Sequence, residues 1–303
     1  MNLGTKIILV SGPTASGKST FAVKIAKKIK GEIINADSMQ VYKDLKILTA
    51  RPNKEHQKKI KHHLYGIQNS TKKFSTGDWL KLAYKKIKEV KKKNKVPILV
   101  GGTGLYFKSL TDGLVKIPKI SFKKRNIIRS LHKKLGQKEF YKKLLIIDPL
   151  AKNIVNKNDT QRSIRAFEIK KYTKKSMLYW FKDTKVLFEP NTFLKIYIDF
   201  PREELLIRIK KRVDKMIKEG AIQEVRRFKK LRIKKDNTVN KVIGIREILN
   251  FLNGELSLEK AKERIFIKTR QYAKRQSTWA RGQMMSWQKV SPKDLNLVLK
   301  KFK

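Results

Sequence analysis

The chain has 303 residues, of which 40% are hydrophobic, so it can bury a large core and does not have the composition of a disordered protein. Its 75 Lys or Arg against 25 Asp or Glu give a formal net charge of +50, which favours a polyanionic partner, although a diffuse lysine enrichment of a whole proteome gives the same excess. Cysteine is absent, which excludes disulfides, Cys-ligated zinc and thiol catalysis, and the lack of an apolar run long enough for a signal peptide or a membrane span predicts a cytoplasmic protein.

The first hundred residues alternate between the sequence patterns of strands and helices. Short apolar runs predict strands at residues 6–10, 32–36 and 96–100, and apolar positions spaced three and four apart predict helices at 20–30 and 80–92. Strands that alternate with helices in this way form a parallel sheet with helices packed on both faces.

The middle of the chain has a different character, because helical patterns with polar connections replace the strands. Four helices are expected, at residues 121–135, 137–146, 150–155 and 160–171. Asp159 immediately precedes the last of them and is its expected N-cap.

A strand pattern returns at residues 194–199, and a helix is predicted to follow at 201–219. We therefore predict an α/β fold in which a parallel sheet core, residues 1–115 and 191–303, is interrupted by a mostly helical insertion domain, residues 116–190.

The most specific local signal is a phosphate-binding loop between the first predicted strand and the first predicted helix. Residues 12–19 read Gly-Pro-Thr-Ala-Ser-Gly-Lys-Ser and match the pattern G-x-x-x-x-G-K-[ST]. Small residues allow successive backbone N–H groups to point inward around an anion, and the helix N-terminus adds its positive dipole. The predicted phosphate ligands are Gly12, Pro13, Thr14, Ala15, Ser16, Gly17, Lys18 and Ser19, and the Ser19 hydroxyl is also suited to ligate Mg²⁺.

A phosphate loop alone indicates a diphosphate or triphosphate ligand, as in an NTPase or a kinase. Such an enzyme normally has an apolar strand ending in an aspartate that organises Mg²⁺ and water. The strand predicted at 96–100 is followed by Gly101 and Gly102 instead, and Asp199, at the end of a later strand, is expected to cap the next helix. This favours a substrate whose pyrophosphate is a leaving group, with a small-molecule kinase and a nucleic-acid-binding ATPase as the alternatives.

Asp37 follows the second predicted strand. Because ligands of parallel sheets bind at the carboxyl ends of the strands, Asp37 is expected in the same crevice as the phosphate loop. A carboxylate there is suited to bind Mg²⁺ or to accept a proton as a general base. Ser38 and Gln40 carry groups that hydrogen-bond base edges, and Thr103 follows the third strand on the same side.

Four ordered segments resemble the tRNA dimethylallyltransferases, the bacterial tRNA isopentenyltransferase family. They are the phosphate loop at 12–19, Asp-Ser-Met-Gln-Val-Tyr at 37–42, Gly-Gly-Thr-Gly-Leu-Tyr at 101–106, and the segment 269–281, which begins Thr-Arg-Gln-Tyr-Ala-Lys-Arg-Gln. Shorter matches lie at 158–162 and 242–246, so the resemblance covers nearly the whole chain in the family's order.

The resemblance implies a P-loop NTPase-like core and a specific reaction. In this family a dimethylallyl group passes from dimethylallyl diphosphate to N6 of the adenine immediately 3′ of the anticodon, in tRNAs that read codons beginning with U. The expected partners are dimethylallyl diphosphate and the tRNA anticodon stem-loop, which the insertion domain binds. Mg²⁺ is the expected cofactor, and the protein is expected to act as a monomer.

The resemblance also assigns roles to residues of this chain. Asp37 is the implied general base, Thr103 positions the adenine or the leaving group, and Arg208 and Arg212 are further candidates for the pyrophosphate. The implied tRNA-binding residues are Asp37, Ser38, Met39, Gln40, Thr103, Arg125, Gln161, Arg162, Ser163, Ile164, Arg165, Lys241, Gly244, Arg246, Arg270 and Arg275. Tyr272 and Trp279 share a face of the last motif's helix, and they either stack on bases or pack on the core.

The sequence departs from the family at two places near the expected site. Leu48 stands where glycine is usual, and Gly66 lies in a segment that usually carries aspartates. His62 and His63 precede that segment and are expected to be structural. These departures leave Asp37 and the phosphate loop intact.

Overall fold

The computed structural model describes residues 6–52, 60–182 and 184–302. The chain forms two compact units, one comprising the residues up to Thr111 and from Phe188 onward, the other comprising Asp112–Leu187. The second unit corresponds to the insertion domain expected at residues 116–190.

A six-stranded parallel sheet forms the centre of the first unit, as far as its described residues go. Its strands are β1 (Ile7–Ser11), β2 (Glu32–Asn35), β3 (His62–His63), β4 (Pro97–Gly101), β5 (Phe193–Ile198) and β6 (Gln288–Val290). Their spatial order is β3-β2-β4-β1-β5-β6, and all neighbours pair in parallel. The predicted parallel α/β core is therefore confirmed.

In the described residues the α-helices are, in chain order, α1 (Lys18–Lys28), α2 (Thr76–Lys91), α3 (Gly104–Thr111), α4 (Phe122–Ile147), α5 (Thr160–Thr173), α6 (Met177–Phe181), α7 (Arg202–Lys218), α8 (Ala221–Lys230), α9 (Ile245–Leu252), α10 (Leu258–Gln283) and α11 (Leu295–Lys300). Helices α4 to α6 belong to the second unit and the others to the first. α2 begins earlier than the predicted residue 80, because Ser75 and Asp78 form a reciprocal capping box at its N-terminus.

The centre of the sheet is completely buried. β1 and β4 are buried along their whole length, as expected for parallel strands with both faces covered. Ser11 lies opposite Gly101 in the register of these two strands, and Asn35 lies opposite Val100. The three segments that follow β1, β2 and β4 therefore leave the sheet side by side.

The strands β3 and β6 were not predicted. They contain two and three residues, so neither carries a readable alternation of apolar and polar positions. β3 contains the histidine pair, and Nε2 of His63 lies 2.7 Å from the buried carboxylate of Glu32 on β2. This contact gives His63 a structural role at the edge of the sheet.

Asp199 does not cap α7, so that prediction was wrong. The helix starts at Arg202 with Pro201 as its N-cap residue, and no side chain caps it. Asp199 lies too early in the chain to reach the free amides, and its own N–H donates to the carbonyl of Val290, 2.9 Å away, beside β6.

The second unit is helical around an apolar cluster that includes Phe140 and Phe167, whose rings lie 4.9 Å apart and are tilted by 34°. Gly136, with φ 72° and ψ 170°, interrupts α4 between the two helices predicted there. The Asp159 carboxylate accepts the N–H of Arg162 at 2.9 Å, which confirms it as the N-cap of α5. The helix expected at 150–155 is a 3₁₀ turn at Pro149–Asn153.

In the described parts of both units, every helix is too short or too polar to cross a membrane.

Candidate active site

The phosphate loop connects β1 to α1 and has the backbone geometry of an anion-binding nest. Ala15 and Gly17 have positive φ angles of 66° and 85°, which turns successive N–H groups toward one side of the loop. Gly12 is required because a Cβ there would lie 2.9 Å from the Ser16 hydroxyl and 3.1 Å from the carbonyl of Ile198. Ser19 is exposed in the first turn of α1.

Lys18 is the cation of the loop, and its surroundings change its titration. Its Nζ donates to the carbonyl of Pro13 at 3.1 Å. Burial lowers the pKa of Lys18 to about 8, a shift that the nearby Asp37 opposes and Arg212 reinforces. The ammonium group is therefore poised to gain from an added negative charge, such as a diphosphate oxygen.

Asp37 is held in one orientation at the end of β2. Its Oδ1 accepts the backbone N–H of Met39 at 2.8 Å and that of Gln40 at 3.3 Å, while its own N–H donates to Asn35 Oδ1 at 2.9 Å. Within the described chain, its second carboxylate oxygen accepts no hydrogen bond. That oxygen is thus free to accept a proton or a ligand N–H.

Thr103, from the segment after β4, lies directly beside the Asp37 segment. Its Oγ1 accepts the backbone N–H of Ser38 at 2.9 Å and lies 3.2 Å from the Ser38 hydroxyl. The hydroxyl of Tyr272 on α10 also hydrogen-bonds Thr103, and burial raises the pKa of Tyr272, so this phenol stays neutral. The structure therefore places Thr103 against Ser38, the residue that follows Asp37, and adds Tyr272 to this part of the site.

Gln276 is a site residue that was not singled out from the sequence. Its Oε1 accepts the N–H of Thr14 at 2.8 Å, and its Nε2 donates to the carbonyl of Gly102 at 2.9 Å. One side chain of α10 therefore links the phosphate loop to the segment that carries Thr103. Its position within the segment 269–281 was the only available signal, and that signal did not reveal its partners.

Two glycines in the segment after β4 leave room for side chains of the 269–281 motif. A Cβ on Gly102 would lie 2.1 Å from Gln276 Nε2, and a Cβ on Gly104 would lie 2.0 Å from Trp279 Nε1. Trp279 therefore packs over Gly104, and together with Tyr272 it also lines a cavity. At Gly101, a Cβ would lie 2.0 Å from the carbonyl oxygen of Ala36, so no side chain fits there.

Two arginines of α7 face the phosphate loop, as the resemblance implies. Arg212 is half-buried; burial lowers its pKa, and the proximity of Asp37 opposes that shift. Arg208 is exposed; its guanidinium lies over the ring of Phe200, 4.7 Å from the centroid, and 3.4 Å from where a Gly17 Cβ would be. Both are placed to neutralise an anion in the loop.

Three adjoining cavities run through this part of the first unit. The phosphate cavity, about 400 Å³, is lined by the loop, Arg208 and Arg212. The middle cavity, about 310 Å³, shares Thr14, Asp37, Thr49 and Arg212 with it. The outer cavity, about 320 Å³, shares Ser38, Tyr272 and Arg275 with the middle cavity and is also lined by Thr103, Leu105, Tyr197, Trp279 and Met284. Asp37 thus lies where the phosphate cavity meets the middle cavity.

A larger cavity of about 790 Å³ adjoins the phosphate cavity at Ser19 and Arg212. Its walls include six Lys or Arg residues, among them Lys43, Lys46 and Arg227, against three Asp or Glu residues. No sequence signal pointed to it, because its residues come from distant parts of the chain. Its cations give the phosphate cavity a positively charged approach.

A family model described as IPP transferase matches residues 40–283. The tRNA dimethylallyltransferase of Pelagibacter ubique (strain HTCC1062) is 62% identical over 303 residues, covering 100% of this chain and 97% of that protein. The tRNA dimethylallyltransferase of Rickettsia massiliae (strain Mtu5) is 47% identical over 279 residues, covering 92% of this chain and 77% of that protein. The chain belongs to the IPP transferase family.

Solved structures agree with this membership. The full-length tRNA isopentenylpyrophosphate transferase from Bacillus halodurans superposes with a TM-score of 0.71 at 30% identity, covering 98% of this chain and 95% of that one. A eukaryotic dimethylallyltransferase acting on tRNA gives a TM-score of 0.83 at 28% identity, covering 98% and 77%. The chain is thus a transferase, and its core has the P-loop NTPase-like fold of these enzymes.

Not every residue implied to contact tRNA in this IPP transferase is free to do so. Both amide hydrogens of Gln40 are engaged, since its Nε2 donates to the carbonyls of Thr49 and Ala50 at 2.8 and 3.2 Å. Gly244 is buried with φ 106°, and its N–H donates to Glu247 at 3.0 Å. Gln40 and Gly244 therefore stabilise the internal structure of the site. The exposed cations Lys241, Arg246, Arg270 and Arg275 remain available to a polyanion, and Met39 lines the middle cavity.

The helical unit presents part of the expected basic surface on α4, which carries Arg125, and on α5. Arg125 and Arg165 both pair with the buried Glu168, at 3.8 and 3.1 Å, which restricts their motion while leaving each partly exposed. Gln161 and Arg162 are exposed on α5.

Two neighbouring residues on α5 do not fit the implied tRNA contact. Ser163 is 0% exposed, and its hydroxyl donates to the carbonyl of Asp159 at 2.7 Å, so a direct contact from its side chain is ruled out. Ile164 packs against the apolar cluster of the unit. A motif shows that these positions matter, but it does not show which of them face outward.

The two departures from the family pattern have local physical explanations. Leu48 is buried over Gly244, where a Cβ would lie 2.7 Å from Leu48 Cδ2. At Gly66 a Cβ would lie 1.9 Å from Arg51 Nη1, so the glycine makes room for this guanidinium. Arg51 in turn donates to the carbonyl of Tyr42 at 3.0 Å and thereby supports the segment that follows Asp37.

Proposed function

We propose that this protein transfers the dimethylallyl group of dimethylallyl diphosphate to N6 of the adenine immediately 3′ of the anticodon, in tRNAs that read codons beginning with U. The observation that carries the proposal is the position of Asp37, which lines both the phosphate cavity and the partly apolar middle cavity and is held through only one of its carboxylate oxygens. The relatives named tRNA dimethylallyltransferase support the same reaction.

The order of the cavities supports an arrangement of the two substrates. A diphosphate in the phosphate cavity carries its hydrocarbon into the middle cavity, since the two share Thr14 and Asp37. An adenine in the outer cavity reaches the same junction past Ser38 and Thr103. Asp37 then faces both the reacting carbon and the exocyclic amine.

The proposed reaction is a substitution at the first carbon of the allylic chain. The adenine N6 attacks that carbon, the C–O bond to the diphosphate breaks, and its electron pair leaves with the diphosphate. The proton of N6 passes to the free oxygen of Asp37. Lys18, Arg208, Arg212 and the loop amides stabilise the charge that develops on the leaving group.

The residues of the phosphate cavity fit a bound Mg²⁺. Ser19 lines the cavity and offers one hydroxyl, and the described residues contain no group of three His, Cys, Asp or Glu that would hold a metal without the substrate. Mg²⁺ commonly takes few protein ligands and completes its octahedron with phosphate oxygens and water, so this donor set is suitable. When bound, the ion would neutralise charge on the diphosphate.

The kinase alternative is disfavoured by the backbone itself. Position 101, where a nucleotide hydrolase of this fold carries its Mg²⁺-organising aspartate, has no room for any side chain against Ala36. The relatives are also named as prenyl transferases rather than kinases.

A transfer assay tests the proposal. Purified protein is incubated with labelled dimethylallyl diphosphate, Mg²⁺ and unmodified tRNA, and label is expected in N6-(dimethylallyl)adenosine after nuclease digestion. ATP hydrolysis without label in the tRNA would reject the proposal. We also propose that the protein acts in the cytoplasm as a monomer, which sedimentation of the active species and fractionation of cells would check.

A further inference from the structure

The helical unit contains a buried carboxylate that two arginines from different helices share. Glu168 of α5 is only 3% exposed. Its Oε2 accepts a hydrogen bond from Nη1 of Arg165, one turn earlier on α5, at 3.1 Å. The same oxygen lies 3.8 Å from Nε of Arg125 on α4. Because both contacts converge on one oxygen, the two guanidinium groups lie side by side.

The backbone that carries Arg125 is tied to α5 by a second contact. The hydroxyl of Tyr172, one turn after Glu168 on the same helix, donates to the carbonyl of Lys124 at 3.3 Å. The Nζ of Lys124 lies over the Tyr172 ring, 5.0 Å from its centroid. The first turn of α4 is therefore held against α5 where the two arginines meet.

The cluster has one arginine more than the buried carboxylate requires. A single guanidinium neutralises the charge of Glu168, so the second leaves the cluster with a net positive charge. The side chains of Arg125 and Arg165 remain 36% and 33% exposed. In the described part of the chain, the bond from Arg165 to Glu168 is the only hydrogen bond of either guanidinium group. Most of their N–H donors are thus available, and paired guanidinium groups match the oxygen atoms of a phosphate.

We infer that Glu168 is a positioning residue, which holds Arg125 and Arg165 together so that they bind one phosphate of the tRNA backbone. The inference rests on the proposed function, because it takes tRNA as the substrate. Two unrestrained arginines would repel each other and lose side-chain entropy on closing around a phosphate, and the shared carboxylate offsets both costs before the RNA binds. Positioning therefore acts against the charge of Glu168 itself, since a carboxylate near RNA otherwise weakens binding by repulsion.

The test is the affinity of Glu168→Gln for unmodified tRNA, measured by fluorescence anisotropy beside the wild type. Glu139→Gln is the matched control, because Glu139 is exposed on α4 and its replacement removes the same charge from the same unit. Glu168→Gln should raise the Kd by about three- to tenfold, since a neutral amide does not hold two guanidinium groups together. Glu139→Gln should not raise the Kd, because it only makes the protein more positive.

Two further readouts separate positioning from a general loss of structure. In transfer assays, Glu168→Gln should raise the KM for tRNA with little change in kcat or in the KM for dimethylallyl diphosphate. The slope of log Kd against log salt concentration should also decrease in magnitude by about one, as expected for one lost phosphate contact. A purely structural role would lower the melting temperature without producing either change.

If Glu168→Gln does not fold, Arg165→Lys takes its place, with Arg129→Lys, at an exposed position of α4, as its control. Arg165→Lys keeps the charge but loses the guanidinium fork, so it should raise the Kd where Arg129→Lys does not. The inference is overturned, and the proposed function left intact, if the folded test variant binds tRNA as tightly as the wild type or if its control weakens binding equally. Absence of any prenyl transfer by the wild type would instead reject the proposed function, and the inference with it.

Discussion

The binding of the prenyl donor should depend on pH through Lys18. Burial lowers the pKa of this lysine to about 8 in the absence of an anion, whereas a bound diphosphate stabilises the ammonium form and raises it. The protonated fraction falls from about 0.9 at pH 7 to about 0.1 at pH 9 for a pKa of 8. If the neutral amine does not bind the diphosphate, the Kd for dimethylallyl diphosphate therefore rises about tenfold across this interval.

Calorimetric titration of a non-reactive thio-analogue of the donor, from pH 6.5 to 9.5, measures this dependence. Lys18→Arg is the matched control, because a guanidinium stays charged throughout the interval. Both proteins experience the same ionisation of the ligand, so the difference between their pH profiles reports on Lys18. Equal profiles for the two proteins, or a wild-type Kd that does not rise above pH 8, would refute the reasoning.

Three further predictions concern the same site. Asp37→Asn should lower turnover by about two to four orders of magnitude with little change in tRNA affinity, because it removes the proton acceptor and keeps the shape. Gln276→Ala should raise the KM for the prenyl donor more than that for tRNA, because the N–H of Thr14 and the carbonyl of Gly102 lose their partner. Lys18→Met should stabilise the unliganded protein at pH 7 by roughly 1–3 kcal/mol. The ammonium group of Lys18 is only partly exposed, so burying its charge costs free energy that the uncharged methionine does not incur.

Each of these has its own control and its own contradicting outcome. Asp37→Asn that retains wild-type turnover would reject the proton acceptor. For Gln276→Ala, Gln276→Glu keeps the acceptor for Thr14, so equal KM values for the two variants would argue against that bond. For Lys18→Met, the destabilising effect of Lys18 is fully present below pH 8 and is lost as the pH rises toward the unfolded value of 10.5. The prediction is contradicted if chemical denaturation shows that the stability gain of Lys18→Met does not decrease between pH 8 and pH 10.5.

The strands that could be predicted are the ones with continuous apolar runs. β1 and β4 are five-residue buried segments, and the helical pattern between them fixes the parallel arrangement. β3 and β6 add only two and three residues to the sheet edges, so nothing in their local sequence distinguishes them from loops. Their pairing is decided by tertiary contacts such as that between His63 and Glu32.

The candidate site was predictable where one short segment carries the chemistry. The phosphate loop and Asp37 each follow a strand, and their meeting follows from the parallel sheet. Gln276 acts through a partner far away in the chain, since Thr14 lies 262 residues away, so no local pattern exposes it. For Ser163 the error is of the opposite kind. Its place in a motif predicted a tRNA contact, but the helix turns its side chain toward the interior.

The central claim is that Asp37 joins an allylic diphosphate to one adenine of tRNA. Its most direct test is transfer of labelled dimethylallyl to two transcripts of a tRNA that reads a codon beginning with U, one with adenine and one with guanine immediately 3′ of the anticodon. We expect label only in the first transcript, as N6-(dimethylallyl)adenosine. Equal labelling of both, or labelling of neither by the folded protein, would contradict it.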